Sequence, residues 1–142
     1  IAIAGVLLFF MLMLAPYWKG SQVISPFISI GDQVNKLTSE DDIILTDIPW
    51  ETAWYADRKT IWLPYDLQTL KKISKTVRPS YLLLTVEVIN KSYPRGPFGP
   101  YRDNLWARMV EDISYAKSLG YEVRNVIYLD RYPVGVLYKV PD

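Results

Sequence analysis

The chain has 142 residues, half of them apolar, a formal net charge of +1, and neither Cys nor His. It therefore cannot build a Ser-His-Asp triad, a Cys-His pair, a thiolate metal site or a CxxC redox centre from its own residues. Its near-neutral charge supplies no field that would recruit nucleic acid. Only carboxylate, Lys, Tyr, Ser or Thr chemistry remains.

Residues 1–18 (IAIAGVLLFFMLMLAPYW) contain no charged side chain. As a helix they rise about 27 Å, close to the ~30 Å hydrocarbon core of a bilayer. Tyr17, Trp18 and Lys19 close the stretch with side chains suited to the headgroup layer. A signal peptide fits less well, because no basic segment precedes the apolar run and no small-residue cleavage site precedes Lys19. Residues 1–19 are thus expected to form a transmembrane helix. Since the apolar run begins at the first residue, it is read as the last of several in a longer chain. Residues 20–27 read as a linker and residues 28–142 as one soluble α/β domain.

Within that domain, Ile30, Val34 and Leu37 share a helical face over residues 28–37. Residues 42–47 (DIILTD) read as a buried strand. Pro49 opens a short helix reaching about residue 56, and residues 60–63 form a second strand. Asp66 is a good N-cap for a helix to about residue 76, with Leu67, Leu70, Ile73 and Val77 inward. Residues 81–88 (YLLLTVEV) form a third strand, apolar enough to be covered on both faces. The spacing predicts one long helix over residues 103–119, with Leu105 or Trp106, Met109, Val110, Ile113 and Ala116 inward and Gly120 as its stop. Residues 121–129 and 134–140 read as a hairpin joined by a four-residue connection. The expected fold is a small three-layer, mostly parallel sheet with an antiparallel C-terminal edge hairpin, preceded by one transmembrane helix.

Ligands of open parallel sheets sit beyond the carboxyl ends of strands. After the first strand come Asp47, Trp50, Glu51, Trp54, Tyr55, Asp57 and Arg58. Indole and phenol faces suit sugar rings or lipid headgroups, and Asp and Arg give oriented hydrogen bonds. The plainer reading, which is preferred here, makes Asp47 a helix cap and buries Trp50 and Trp54 as one helical face. After the third strand, residues 87–101 form an aperiodic Pro- and Gly-rich loop carrying Arg95, Tyr93, Phe98 and Tyr101, a set suited to a phosphate or a sugar. No phosphate-binding GxGxxG or GxxxxGK fingerprint occurs. Residues 32–66 carry eight acids against three bases, and residues 67–110 eight bases against two acids, read as solvated helix faces. Asp41 and Asp42 sit at the amino end of a strand and read as a solvated turn.

The stretch with D-I-P-W at 47–50, A-W-Y at 53–55, Arg58 and I-W-L-P at 61–64 resembles the soluble C-terminal domain of family 39-type membrane glycosyltransferases. These include protein mannosyltransferases and the aminoarabinose transferases that modify lipid A. The resemblance implies a parent enzyme that moves a sugar from a polyprenyl-phosphate carrier to an extracytoplasmic acceptor. Its catalytic carboxylate would lie in an upstream loop, and no position of this chain matches that motif. This segment would then be a non-catalytic accessory domain on the extracytoplasmic side, with no cofactor of its own. Its partners would be the bilayer, the upstream membrane domain, and a lipid-linked sugar or acceptor. Substrate contacts are assigned to Asp47, Trp50, Trp54, Arg58 and Arg95. The alternative is a single-pass, membrane-anchored α/β binding or interaction domain without catalytic activity.

Overall fold

The computed structural model describes residues 25–64, 66–89 and 105–141. The expected membrane helix over residues 1–19, most of the linker and Arg95 lie outside these residues. Among the described residues no helix is long and apolar enough to cross a membrane.

Helix α1 (Pro26–Leu37) starts two residues earlier than expected, because Pro26 occupies the first turn, where a missing N–H leaves no bond unmade. Strand β1 (Ile43–Thr46), helix α2 (Pro49–Ala56), strand β2 (Lys59–Trp62), helix α3 (Leu67–Val77) and strand β3 (Tyr81–Thr85) follow. A 3-10 turn at Val86–Val88 ends β3 three residues before the expected boundary. Helices α4 (Leu105–Glu111) and α5 (Ile113–Ser118) precede strands β4 (Glu122–Leu129) and β5 (Tyr132–Lys139).

The five strands form one mixed sheet in the order β2-β1-β3-β5-β4. β1 pairs in parallel with β2 and β3, whereas β5 runs antiparallel to both β3 and β4. The C-terminal hairpin thus occupies one edge, with β4 outermost. Its connection is tighter than the sequence suggested, because Leu129 already pairs with Tyr132. Asp130, at φ 57, supplies the positive dihedral that a two-residue hairpin turn requires.

Successive side chains of a strand point to opposite faces, and the inner strands are apolar on both. Ile44, Leu83 and Leu137 pack with Ile30, Val34, Ile48 and Ala56 of the α1–α2 side. Leu45, Leu82, Leu84, Val136 and Tyr138 pack with Leu70, Trp106, Met109 and Ala116 of the α3–α5 side. Two cores therefore sandwich the sheet. On the second side, the Trp106 indole donates to Pro64 O at 2.8 Å and the Tyr138 hydroxyl to Met109 O at 2.6 Å. Burial pushes the Tyr138 and Tyr121 hydroxyls up to about 12, and the two rings meet edge to face at 6.3 Å.

The expected helix over residues 103–119 is instead two helices. The Asp112 carboxylate accepts from Ser114 N and Tyr115 N, which makes it a new N-cap in mid-sequence. The restart rotates Ile113 off the inward stripe and leaves it exposed. Val77 is likewise exposed, at the point where Arg78 adopts a left-handed cap and turns the chain away. By contrast, Asp66 caps α3 as expected, accepting from Thr69 N at 2.7 Å, and Gly120 stops α5 at φ 90.

Helices α1 and α2 touch where Gly31 meets Tyr55. A Cβ on Gly31 would lie 2.4 Å from Tyr55 Cβ and 2.7 Å from its backbone carbon. The contact closes only around a hydrogen atom. Gly31→Ala is therefore expected to lower the unfolding free energy by about 1–3 kcal/mol, as overpacked cores do. Urea unfolding of both chains checks this, and an unchanged midpoint contradicts it.

Candidate functional site

The chain leaves β1 and β3 toward opposite faces of the sheet. β1 runs into α2 on one side, and β3 leads to α4 on the other. Adjacent parallel strands whose connections diverge open a crevice at their carboxyl ends. In this chain that crevice lies beyond Thr46 and Thr85.

Asp47 occupies it. Its Oδ1 accepts from Thr85 N at 3.0 Å and its Oδ2 from the Thr85 hydroxyl at 2.6 Å, so one carboxyl group bridges the two strand ends. The Thr85 hydroxyl also accepts from Glu87 N at 3.2 Å. Asp47 does not cap α2. Pro49 takes the first helical position, so the N-cap falls on Ile48, whose N–H is taken up by the Thr46 hydroxyl at 3.2 Å. One residue of offset sends the carboxyl across the sheet rather than along the helix.

Burial raises the Asp47 carboxyl from 3.8 to about 7. The two Thr85 hydrogen bonds oppose that rise and the nearby Glu87 charge adds to it, but desolvation dominates. A carboxyl titrating near neutrality at a strand end is suited to taking or releasing a proton, or to acting as a polar latch between strands. Thr85 and Glu87 were not among the residues singled out from the sequence. The signal was there, since Thr85 is the only polar residue in the otherwise apolar YLLLT strand, apart from its leading Tyr.

The two indoles contradict the preferred sequence reading. Trp50 is 75% exposed and Trp54 83% exposed. The buried face of α2 is made by Pro49, Thr52 and Ala56. At about 100° per residue, that face lies opposite Trp50 and Trp54. The close approach of α1 at Gly31 falls on the backbone and Cβ of Tyr55, so neither that contact nor the buried face of α2 involves the two indoles. Trp62 shares their side of the sheet. Thr60, two residues before it, donates to Pro49 O at 3.0 Å, whereas Ile61 packs into the opposite core.

Arg58 is placed away from these groups. Its Nη2 donates to Asn35 O and Thr38 O, each at 3.0 Å, its Nε to Thr38 Oγ1 at 3.0 Å, and its Nη1 to Asp57 O at 2.8 Å. It holds the C-terminal carbonyls of α1 at the amino end of the sheet, opposite the Asp47 crevice. The structure thus brings Asp47 and Trp50 to one end of the molecule, with Trp54 one turn behind, and sends Arg58 to the other. Asp41 and Asp42 are the solvated turn that was expected. Asp42 Oδ2 accepts from Ser39 N at 2.7 Å, and Asp41 faces Lys59 at 3.5 Å.

Among the described residues no group of three or more acids could hold a metal ion. A shallow pocket lined by Lys117, Gly120, Tyr121 and Glu122 lies at the start of β4, the amino end of the sheet, far from Asp47. No model of a known protein family matches this chain, and no curated protein matches it.

Two outcomes follow from this geometry. The folded chain binds the Asp47 proton more tightly than the unfolded one, so its contribution to stability is complete below about pH 4 and is lost as pH rises through about 7. Asp47→Asn keeps partners for both Thr85 groups and abolishes the titration. Urea unfolding from pH 5 to pH 8 should show the parent losing stability relative to this variant, by up to roughly 1.4 kcal/mol per pH unit. Parallel curves would contradict the raised pKa. Arg58→Ala should cost about 1–3 kcal/mol by stripping charged donors from the end of α1, and Arg58→Lys should restore little, because an ammonium lacks the planar fork. Full stability of the alanine variant in the same assay would contradict this role.

Proposed function

We propose that this chain is the accessory C-terminal domain, with its preceding membrane helix, of an integral-membrane glycosyltransferase that uses a polyprenyl-phosphate-linked sugar. The observation that carries the reading is the arrangement of the D-I-P-W, A-W-Y and I-W-L-P stretch. It supports the resemblance that one end of the sheet gathers the acid of the first motif, its exposed indole and the exposed indole of the last. Residues 1–19, apolar and uncharged up to Lys19, are read as the membrane helix, and the resemblance implies that the domain is extracytoplasmic.

In the proposed enzyme an acceptor hydroxyl attacks the anomeric carbon of the sugar. An upstream carboxylate takes its proton and the polyprenyl phosphate leaves. This domain covers the membrane-embedded cavity and helps admit the acceptor. Asp47 and Trp50 are the described residues placed to contact an acceptor or the lipid-linked sugar. Arg58, bound to α1, keeps a purely structural part.

The second reading, a single-pass membrane-anchored binding domain, draws on the same exposed indoles as a recognition face. The full coding sequence separates the two, since the transferase requires many upstream apolar stretches with an acidic first loop. Membranes carrying the full-length protein should transfer labelled sugar from the polyprenyl phosphate to acceptor. Deletion of residues 22–142 should reduce that transfer several-fold while the membrane part still inserts. Unchanged turnover in the truncated protein would overturn the accessory role.

A further inference from the structure

Helix α1 fixes which end of the domain lies nearest to residues 1–18. Ile30, in its first turns, belongs to the core that Ile48 closes just beyond the carboxyl end of β1, and Phe27 packs against that core. Asn35, in its last turn, donates to Ala56 O at 2.8 Å, next to the amino end of β2. The helix therefore starts at the carboxyl end of the sheet and runs away from it. Eight residue steps separate Trp18 from Pro26. Even fully extended they cover at most about 29 Å, less than the width of a domain this size. If residues 1–18 lie in a bilayer, the carboxyl end of the sheet is the end held toward it.

Two of the exposed indoles lie at that end, and the third is set back from it. Trp50 is in the first turn of α2 and Trp62 is the last residue of β2, on the same side of the sheet, with Trp54 one turn behind. Meanwhile Glu40, Asp41 and the exposed Asp41–Lys59 pair sit at the amino end, which points into water. Three exposed indoles on one side are costly in bulk water. They suit the headgroup layer, where the ring is half in apolar surroundings and its N–H stays hydrated.

We propose that Trp50 and Trp62, flanked by Trp54, form a lipid-docking face seated in the headgroup layer of the bilayer that holds residues 1–18. The proposal rests on the reading of residues 1–18 as a membrane helix and not on the transferase assignment. Docking adds a second attachment to the tether, restricts rotation of the domain, and brings the Asp47–Thr85 crevice to the membrane surface, where a lipid-linked ligand would be met.

The test labels the whole 142-residue chain with 5-fluorotryptophan in phosphatidylcholine nanodiscs and follows its five indoles by fluorine NMR. Resonances are assigned by single Trp→Phe changes. Lipid bearing a nitroxide headgroup is then added. Trp50 and Trp62 should lose most of their intensity, as Trp18 does, and Trp54 should follow in part. Trp106, fully buried and bonded to Pro64, should keep its signal. If Trp18 broadens while Trp50 and Trp62 stay as sharp as Trp106, the membrane helix stands and the docking face is overturned. If Trp18 also stays sharp, both fall. Sharp Trp50 and Trp62 signals that lack a solvent isotope shift would show the face covered by protein, which also overturns lipid docking.

Discussion

The inner strands have no face they can show to water. Ile44 and Leu45 of β1, Leu82, Leu83 and Leu84 of β3, and Val136, Leu137 and Tyr138 of β5 alternate between two cores, and each core must be roofed by helices. That requirement sends the chain to opposite sides after β1 and after β3. The crevice at their carboxyl ends is its geometric consequence, and so is the burial of whatever residue closes it. Asp47 closes it half-buried, and the Thr85 N–H and hydroxyl supply partners that offset the partial loss of water around its carboxyl.

The same packing explains the surface. α1 lies across the sheet to its outer edge, where the Gln33 amide exchanges two hydrogen bonds with Tyr128 of β4, donating to its carbonyl at 2.6 Å and accepting from its N–H at 3.1 Å. An outward-facing peptide of an edge strand is thus occupied, as exposed sheet edges require. α2 turns Pro49, Thr52 and Ala56 inward and meets Gly31 of α1 through Tyr55, and its indoles are left on the outside. Core geometry, rather than hydropathy, decides where Trp50 and Trp54 go. The proposed membrane surface close to the carboxyl end would give those indoles a medium that water does not.

Local signals were well expressed in the sequence. The apolar runs marked the strands, Asp66 and Gly120 marked helix ends, and the order of elements was enough for a mixed α/β sheet with a C-terminal hairpin at its edge. Where the reading failed, the deciding contact was distant or was one residue out of phase. Asp47 looks like a helix cap until Pro49 shifts the cap to Ile48, and its actual partner is 38 residues away. Arg58 looks like a substrate contact in its own aromatic segment, yet its four bonds include three to Asn35 and Thr38 of the preceding helix and its boundary. Asp112 interrupts a periodic helix pattern because a well-placed carboxylate can cap any two amides it reaches. Trp50 and Trp54 follow a helical spacing that distinguishes one face from another but does not say which of them the neighbouring helix covers.

The carboxyl end of the sheet therefore turns on one group, a half-buried carboxyl at the divergence of two strands, held there by a single threonine. Selective carbon-13 labelling of aspartate and a pH titration of the Asp47 carboxyl resonance test it most directly, with Asp47→Asn assigning the signal. The structure predicts a midpoint at about 7. A midpoint in the ordinary range near about 4 would contradict it, and with it the closed crevice on which the arrangement of the carboxyl end depends.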